Sequence, residues 1–137
     1  MSTNDFSMYI AIAVVAYLVI NNLYQKIGML RAKSKGAVYN KISASEAKNE
    51  MNSNRNVVVI DTRTPNEYKT GHIKKAKNIF SVKEITAKYP DKDTVLFLYC
   101  QSGSRSVKIA KKLVIRGYTQ IYDIGGLYNW SYGTTKK

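Results

Sequence analysis

The segment from Thr94 to Arg116 constrains the fold of this chain more than any other. An apolar stretch, Thr94-Val-Leu-Phe-Leu-Tyr99, gives way to a short polar loop, Cys100-Gln-Ser-Gly-Ser-Arg105, and then to Ser106–Arg116, whose apolar residues recur at helical spacing. The first stretch reads as a strand and the last as a helix. In the helix Val107, Ala110, Leu113 and Val114 share one face, Lys108, Lys111 and Lys112 fall largely outside it, and Gly117 supplies a C-terminal stop. Strand, loop and helix in that order form the repeating unit of α/β domains. The rest of the chain agrees. Val57-Val-Val-Ile60 is a β-branched run suited to a strand buried on both faces, and Ile121-Tyr-Asp-Ile124 reads as another strand. Ser43-Ala-Ser-Glu46 has capping-box spacing and opens a helix to about Met51. Pro65 fits the first turn of a short helix containing Glu67 and Tyr68, and Ile85–Tyr89 is a helical piece stopped by Pro90. The expectation is an α/β domain with a central, mainly parallel sheet flanked by helices on both sides.

In such sheets ligands bind at the carboxyl ends of strands, which is where Cys100 falls. A loop entering a helix gathers free backbone N–H groups at the positive end of the helix dipole. A thiol at its mouth is therefore expected to ionise more readily than usual. Gly103 permits a backbone conformation that other residues resist, and Arg105 adds a forked donor suited to an oxyanion. A cysteine at a strand end also serves as a small buried hydrophobe; the Gly and Arg spacing and the following helix favour a nucleophilic thiolate in an anion cradle. With one cysteine and one histidine, the chain has no intrachain disulfide, no Cys-x-x-Cys redox pair and no zinc site of the ordinary kind.

Four motifs in order resemble the rhodanese family. Val58-Val-Ile-Asp61-Thr-Arg63-Thr-Pro65-Asn-Glu67-Tyr68 is similar to its first signature, and Gly71-His72-Ile73-Lys-Lys-Ala76-Lys-Asn78-Ile79 to the segment that follows. Cys100-Gln-Ser-Gly-Ser-Arg105-Ser106 resembles its active-site loop, and Gly125-Gly126-Leu-Tyr-Asn-Trp130 its closing motif. Lys75 departs from the pattern, standing where the family usually carries a small residue, often Gly. The resemblance covers roughly Val38 to Tyr132. It implies a rhodanese fold and transfer of sulfane sulfur without cofactor or metal. Cys100 would be the nucleophile, with Gln101, Ser102, Gly103, Ser104, Arg105, Ser106 and Arg63 binding the substrate. Asp61 would be a polar partner for the loop or substrate, or else a structural ion-pair or helix-capping carboxylate. His72, as the only histidine, could be a general base, but sulfur transfer needs little proton transfer and its motif looks structural in the family. Trp130 and the Gly125-Gly126 pair would close the domain.

From Phe6 to Gln25 there is no charged residue, and a run of about 20 apolar residues is enough to cross a bilayer. The residues before it lack the basic start of a signal peptide, so the segment is read as a membrane anchor. Lys26, Arg31, Lys33 and Lys35 after the span place the following domain in the cytoplasm and the N-terminus outside. The expected organisation is a transmembrane helix over residues 1–25, a basic juxtamembrane linker over 26–36 and the rhodanese-like domain over 37–137. The formal charge of +13 is spread over the domain with no nucleic-acid motif, which suits anionic headgroups and small anionic substrates instead. The expected partners are thiosulfate or persulfide donors, the membrane, and a thiol or protein sulfur acceptor, with no nucleic acid. Two other readings are a non-catalytic tethered module and a cysteine phosphatase; phosphatases of this design place five residues between Cys and Arg, against four here.

Overall fold

A computed structural model of the chain describes residues 3–34 and 39–137. Five strands form one sheet: β1 (Tyr39–Lys41), β2 (Val58–Asp61), β3 (Lys77–Asn78), β4 (Leu96–Cys100) and β5 (Ile121–Gly126). All its pairings are parallel, in the order β1-β5-β4-β2-β3, so β4 is the central strand. Its five residues are all buried, as an apolar run without alternation requires. Besides α1 (Thr3–Ser34), the helices are α2 (Ala44–Ser53), α3 (Pro65–Thr70), α4 (Val82–Lys88) and α5 (Ser104–Ile115).

Alternation along the strands divides the core into two layers. Ile60, Leu96, Leu98 and Ile121 meet Ile85 of α4 and Ile109, Ala110 and Leu113 of α5 on one face. Val59, Phe97, Tyr99 and Ile124 meet Ala47 of α2, with Tyr68 of α3 and Trp130, on the other. The sheet is thus covered on both sides, as the sequence leads one to expect. The predicted capping box is present, and a second one joins it. Ser43 and Glu46 cap each other's backbone at the start of α2, and Thr64 and Glu67 do the same for α3, with Pro65 in its first turn.

Three local readings change. Helix α5 begins at Ser104 rather than Ser106, and Ile109 replaces Val107 among its buried residues, while Val107 is half-buried. Lys75 adopts φ +70°, which explains why a glycine suits its position better. Helix α1 continues unbroken to Ser34, so residues 26–34 of the basic juxtamembrane segment are helical. The end of that linker (35–36) and the start of the expected domain (37–38) lie outside the described residues. Within α1, the span Asp5–Tyr24 is long and apolar enough to cross a membrane, and its side chains are exposed.

Candidate active site

Cys100 is the last residue of β4, and Gly103 caps α5 three residues later with φ +94°. A β-carbon at Gly103 would meet the Gly125 backbone at 3.4 Å, an ordinary contact, so it is the left-handed conformation that favours glycine there. The turn folds the chain back over the sulfur, and the Gly103 N–H donates to Cys100 Sγ at 3.0 Å. The backbone N–H groups of Arg105 and Ser106 and the Ser106 hydroxyl face the same sulfur. Burial alone would push the thiol up, and Cys100 is wholly buried. The donors from Ser106, Arg105 and Gly103 outweigh it, and the thiol lies below its ordinary value. The loop therefore favours an anion at the sulfur, whether a thiolate or a larger sulfur anion bonded to it.

Arg105 extends from the first turn of α5 to Glu67 of α3 in a two-pronged ion pair, Nη1–Oε2 at 2.8 Å and Nη2–Oε1 at 2.9 Å. Its charge is also felt at the Cys100 sulfur. Arg105, the Thr64 backbone N–H and the Thr64 hydroxyl hold the Glu67 carboxyl down at about 2. Glu67 is a site residue that the loop motif does not contain. It belongs to the first of the four motifs, where its spacing from Thr64 signals the helix cap but not the pair with Arg105.

Arg63 is not presented to the loop interior as a substrate ligand. It is 2% exposed beneath the loop, where Nε and Nη2 donate to Asp61, Nη2 also to the Gly71 carbonyl, and Nη1 to Gln101 Oε1 at 3.2 Å. Asp61 is wholly buried and also accepts from the Tyr99 hydroxyl at 2.6 Å, whose oxygen accepts the Ile73 N–H. Burial and the neighbouring Asp61 push the Tyr99 hydroxyl far up, so it remains a donor. The structural reading of Asp61 is the one its contacts support, and Arg63 reaches the loop through the Gln101 side chain. His72 is buried too, stacked on Tyr68 with its ring nitrogens against the carbonyl oxygens of Tyr68 and Lys137. It fastens the C-terminal segment. Trp130 donates to Gly133 O at 3.0 Å and packs in the core beside Phe97 and Tyr99.

Of residues 101–106, Gly103, Arg105 and Ser106 turn donors toward the Cys100 sulfur. Gln101, Ser102 and Ser104 are exposed, and the Ser102 and Ser104 hydroxyls lie 3.4 Å apart. On the α5 side, Ser106 is wholly buried and donates to Asp123 Oδ1 of β5 at 2.6 Å. Among the described residues no group of three His, Cys, Asp or Glu side chains is placed to hold a metal ion.

Comparison with known proteins gives one family and one fold. The family model described as "Rhodanese-like domain" matches residues 43–132. The thiosulfate sulfurtransferase GlpE of Coxiella burnetii is 32% identical over 95 residues, covering 68% of this chain and 88% of that protein. The thiosulfate sulfurtransferase PspE of Escherichia coli is 38% identical over 71 residues, covering 50% of this chain and 68% of that one. The crystal structure of a rhodanese-like domain protein from Staphylococcus aureus superposes with a TM-score of 0.61 at 28% identity, over 72% of this chain and 98% of that one.

Proposed function

The chain belongs to the rhodanese-like domain family, and on that premise we propose that it is a sulfurtransferase working through a persulfide on Cys100. The observation that carries the proposal is the ring of N–H groups around a buried sulfur whose thiol is held below its ordinary value. Relatives named thiosulfate sulfurtransferase, at 32% and 38% identity, support the same reaction class.

In the first step the Cys100 thiolate attacks the outer sulfur of thiosulfate. A sulfur–sulfur bond forms to Cys100, the bond within thiosulfate breaks, and sulfite leaves with the electron pair. A persulfide donor reacts in the same way and releases a thiolate. In the second step a thiophile, cyanide in the assay or a thiol in the cell, attacks the outer sulfur and regenerates the Cys100 thiolate. This is covalent catalysis by one activated nucleophile. The N–H groups of Gly103, Arg105 and Ser106 hold the anion at both stages, and Arg105 supplies positive charge beside it. With a single cysteine in the chain, the sulfur must pass to another molecule. Gln101, Ser102 and Ser104 form the exposed rim that meets the donor, and Arg63 acts by holding Gln101 from below.

The apolar part of α1 fits a single-pass anchor. The basic residues that follow it support a cytoplasmic side for the catalytic domain. A reducing compartment keeps the thiol available.

The test uses the full chain in detergent micelles beside its Cys100→Ala variant. The parent forms thiocyanate from thiosulfate and cyanide and gains the mass of one sulfur atom on the thiosulfate-treated protein; the variant does neither. A parent that forms no thiocyanate and gains no mass from thiosulfate or a persulfide would be a binding module rather than an enzyme. The anchor has its own test: the chain stays with membranes through carbonate extraction, and protease added outside intact cells leaves the domain uncut.

A further inference from the structure

The Ser106 hydroxyl carries one proton and faces three acceptors. Asp123 Oδ1 lies at 2.6 Å, the Gly103 carbonyl oxygen at 3.1 Å, and the Cys100 sulfur is within its reach. Ser106 is wholly buried and Asp123 is 4% exposed, so no bulk water relieves the competition. Asp123 stands in this position because it follows Ile121 by two residues on β5 and shares its face, the one that α5 covers, while Ile124 belongs to the opposite layer. A bulge comes just after it, where Gly125 rather than Ile124 pairs with Tyr99. The carboxylate also accepts from the Gly125 N–H at 3.3 Å.

We propose that Asp123 and Cys100 compete for the single proton of the Ser106 hydroxyl, so that Asp123 acts through Ser106 as a positioning residue that tunes the nucleophile. The proposal rests on Cys100 being the nucleophile of the reaction set out above. While Asp123 is ionised, it draws the hydroxyl into a short, charge-assisted hydrogen bond, and the sulfur relies more on the backbone N–H groups and the Arg105 guanidinium. When Asp123 is neutral, the hydroxyl turns to the sulfur and adds a donor to the thiolate. The carboxylate charge works in the same direction, since a nearby negative charge disfavours a second one. A thiolate held by fewer donors is the more reactive nucleophile, because nucleophilicity falls as the thiol becomes more acidic.

Other charged groups face this line from each side. Lys41 of β1 lies near Asp123, while Arg105 of α5 lies near Cys100 and is itself paired with Glu67 of α3. Burial pushes the Asp123 carboxyl up, against the opposing pull of the Ser106 hydroxyl, the Gly125 N–H and Lys41. Asp123 also lines a hollow of about 300 Å³ with Lys41, Ser102, Gly103, Tyr128 and Asn129, which gives protons a way to it from the surface.

The alternative is that Asp123 merely braces the first turn of α5. The two ideas give opposite signs. Bracing alone means that removing Asp123 loosens the Arg105 and Ser106 N–H groups and makes Cys100 harder to ionise. Competition means that removing it makes Cys100 easier to ionise. The measurement is the pH midpoint of Cys100 ionisation in the full chain in micelles, from thiolate ultraviolet absorbance with Cys100→Ala subtracted. Iodoacetamide alkylation followed by mass gives a second readout. Asp123→Asn and Asp123→Leu are each expected to move the midpoint to lower pH. Alkylation below the midpoint is expected to quicken about threefold: one hydrogen bond to a charged group raises the thiolate fraction about tenfold, and the lower nucleophilicity of the more acidic thiol takes back about a factor of three. In a Ser106→Ala background the same substitutions should move the midpoint less. A midpoint that stays put or rises, or one that falls equally without the Ser106 hydroxyl, overturns the proposal. Neither readout requires sulfur transfer, so this idea and the enzymatic one fail separately; Asp123→Leu, which buries no polar group, serves if the asparagine variant does not fold.

Discussion

Asp61 is the group on which the floor of the site depends most. It is wholly buried and accepts from four donors: the Arg63 backbone N–H at 2.8 Å, Arg63 Nε at 3.1 Å, Arg63 Nη2 at 2.7 Å and the Tyr99 hydroxyl at 2.6 Å. Asp61→Ala leaves the Arg63 guanidinium buried with only the Gly71 carbonyl and Gln101 Oε1 as partners. Breaking a buried pair from one side costs about 3–5 kcal/mol, and an orphaned hydroxyl such as that of Tyr99 costs about 1–3 kcal/mol, though the two overlap. Domains have only about 5–15 kcal/mol in total. We expect a loss of at least about 3 kcal/mol, which lowers Tm by more than about 10 °C in a domain of this size. Urea unfolding followed by Trp130, the only tryptophan, reads this directly. The origin of the cost is tested by Asp61→Ala combined with Arg63→Met. If the damage comes from the stranded charge, the double variant is more stable than Asp61→Ala alone. A single variant that loses less than about 1 kcal/mol, or a double variant less stable than the single, refutes the reasoning.

Arg105→Lys replaces a fork by a point charge and should lower kcat/KM for thiosulfate at least about tenfold while changing stability by less than about 1 kcal/mol, because its pair with Glu67 is partly exposed. Glu67 is held at about 2 in the folded chain, below its ordinary 4.5. Its contribution is therefore fully present above the ordinary value and disappears as pH falls toward about 2. Solvent screening keeps that contribution to about 1 kcal/mol or less, so Glu67→Gln should differ from the parent in urea midpoint at neutral pH and match it near pH 2. Lys75→Gly relieves φ +70° and should raise stability by about 0.5–1 kcal/mol, the αL penalty less the greater chain entropy of glycine; an unchanged or lower urea midpoint counts against it. Gly126→Ala would drive a β-carbon into the Tyr128 ring and to 2.7 Å from the Gln101 carbonyl oxygen. Displacing that carbonyl shifts the loop, so thiocyanate formation should fall while circular dichroism keeps its parent shape.

What the sequence shows of this protein follows from how local each signal is. Leu96–Cys100 and Val58–Asp61 are legible because a strand covered on both faces must be apolar throughout. The loop is legible because its donors lie within a few residues of Cys100. Strands β1 and β3 are not legible, being three and two residues long with polar, mostly exposed side chains that show no alternation. The sequence pattern starts the helix after the loop two residues late and favours Val107 for the core where the structure has Ile109; a left-handed glycine cap lets α5 start directly at Ser104. The Glu67–Arg105 pair joins residues 38 apart, and the Ser106–Asp123 pair residues 17 apart. No spacing rule reaches either, since both depend on how β5, β4 and β2 are ordered in the sheet.

The two arginines show most clearly why residue type is a poor guide to role at such a site. Each is a forked cation near a candidate anion site, and the sequence assigns both to the substrate. An arginine has five N–H donors. Arg63 commits four of its five to Asp61, Gly71 and Gln101 inside the fold, where an approaching donor molecule does not meet it. Arg105 commits two to Glu67 and remains 40% exposed, with three donors still available beside the sulfur. Yet Glu67 also cancels much of the charge of Arg105 at a distance, and a Cys100 thiolate leaves the immediate site negative. The attraction for an anionic sulfur donor then has to come from farther away, from the 22 Lys and Arg set against 9 Asp and Glu in the chain. Long-range charge gathers the anion, and the short-range N–H ring decides what it can become once the sulfur reaches Cys100.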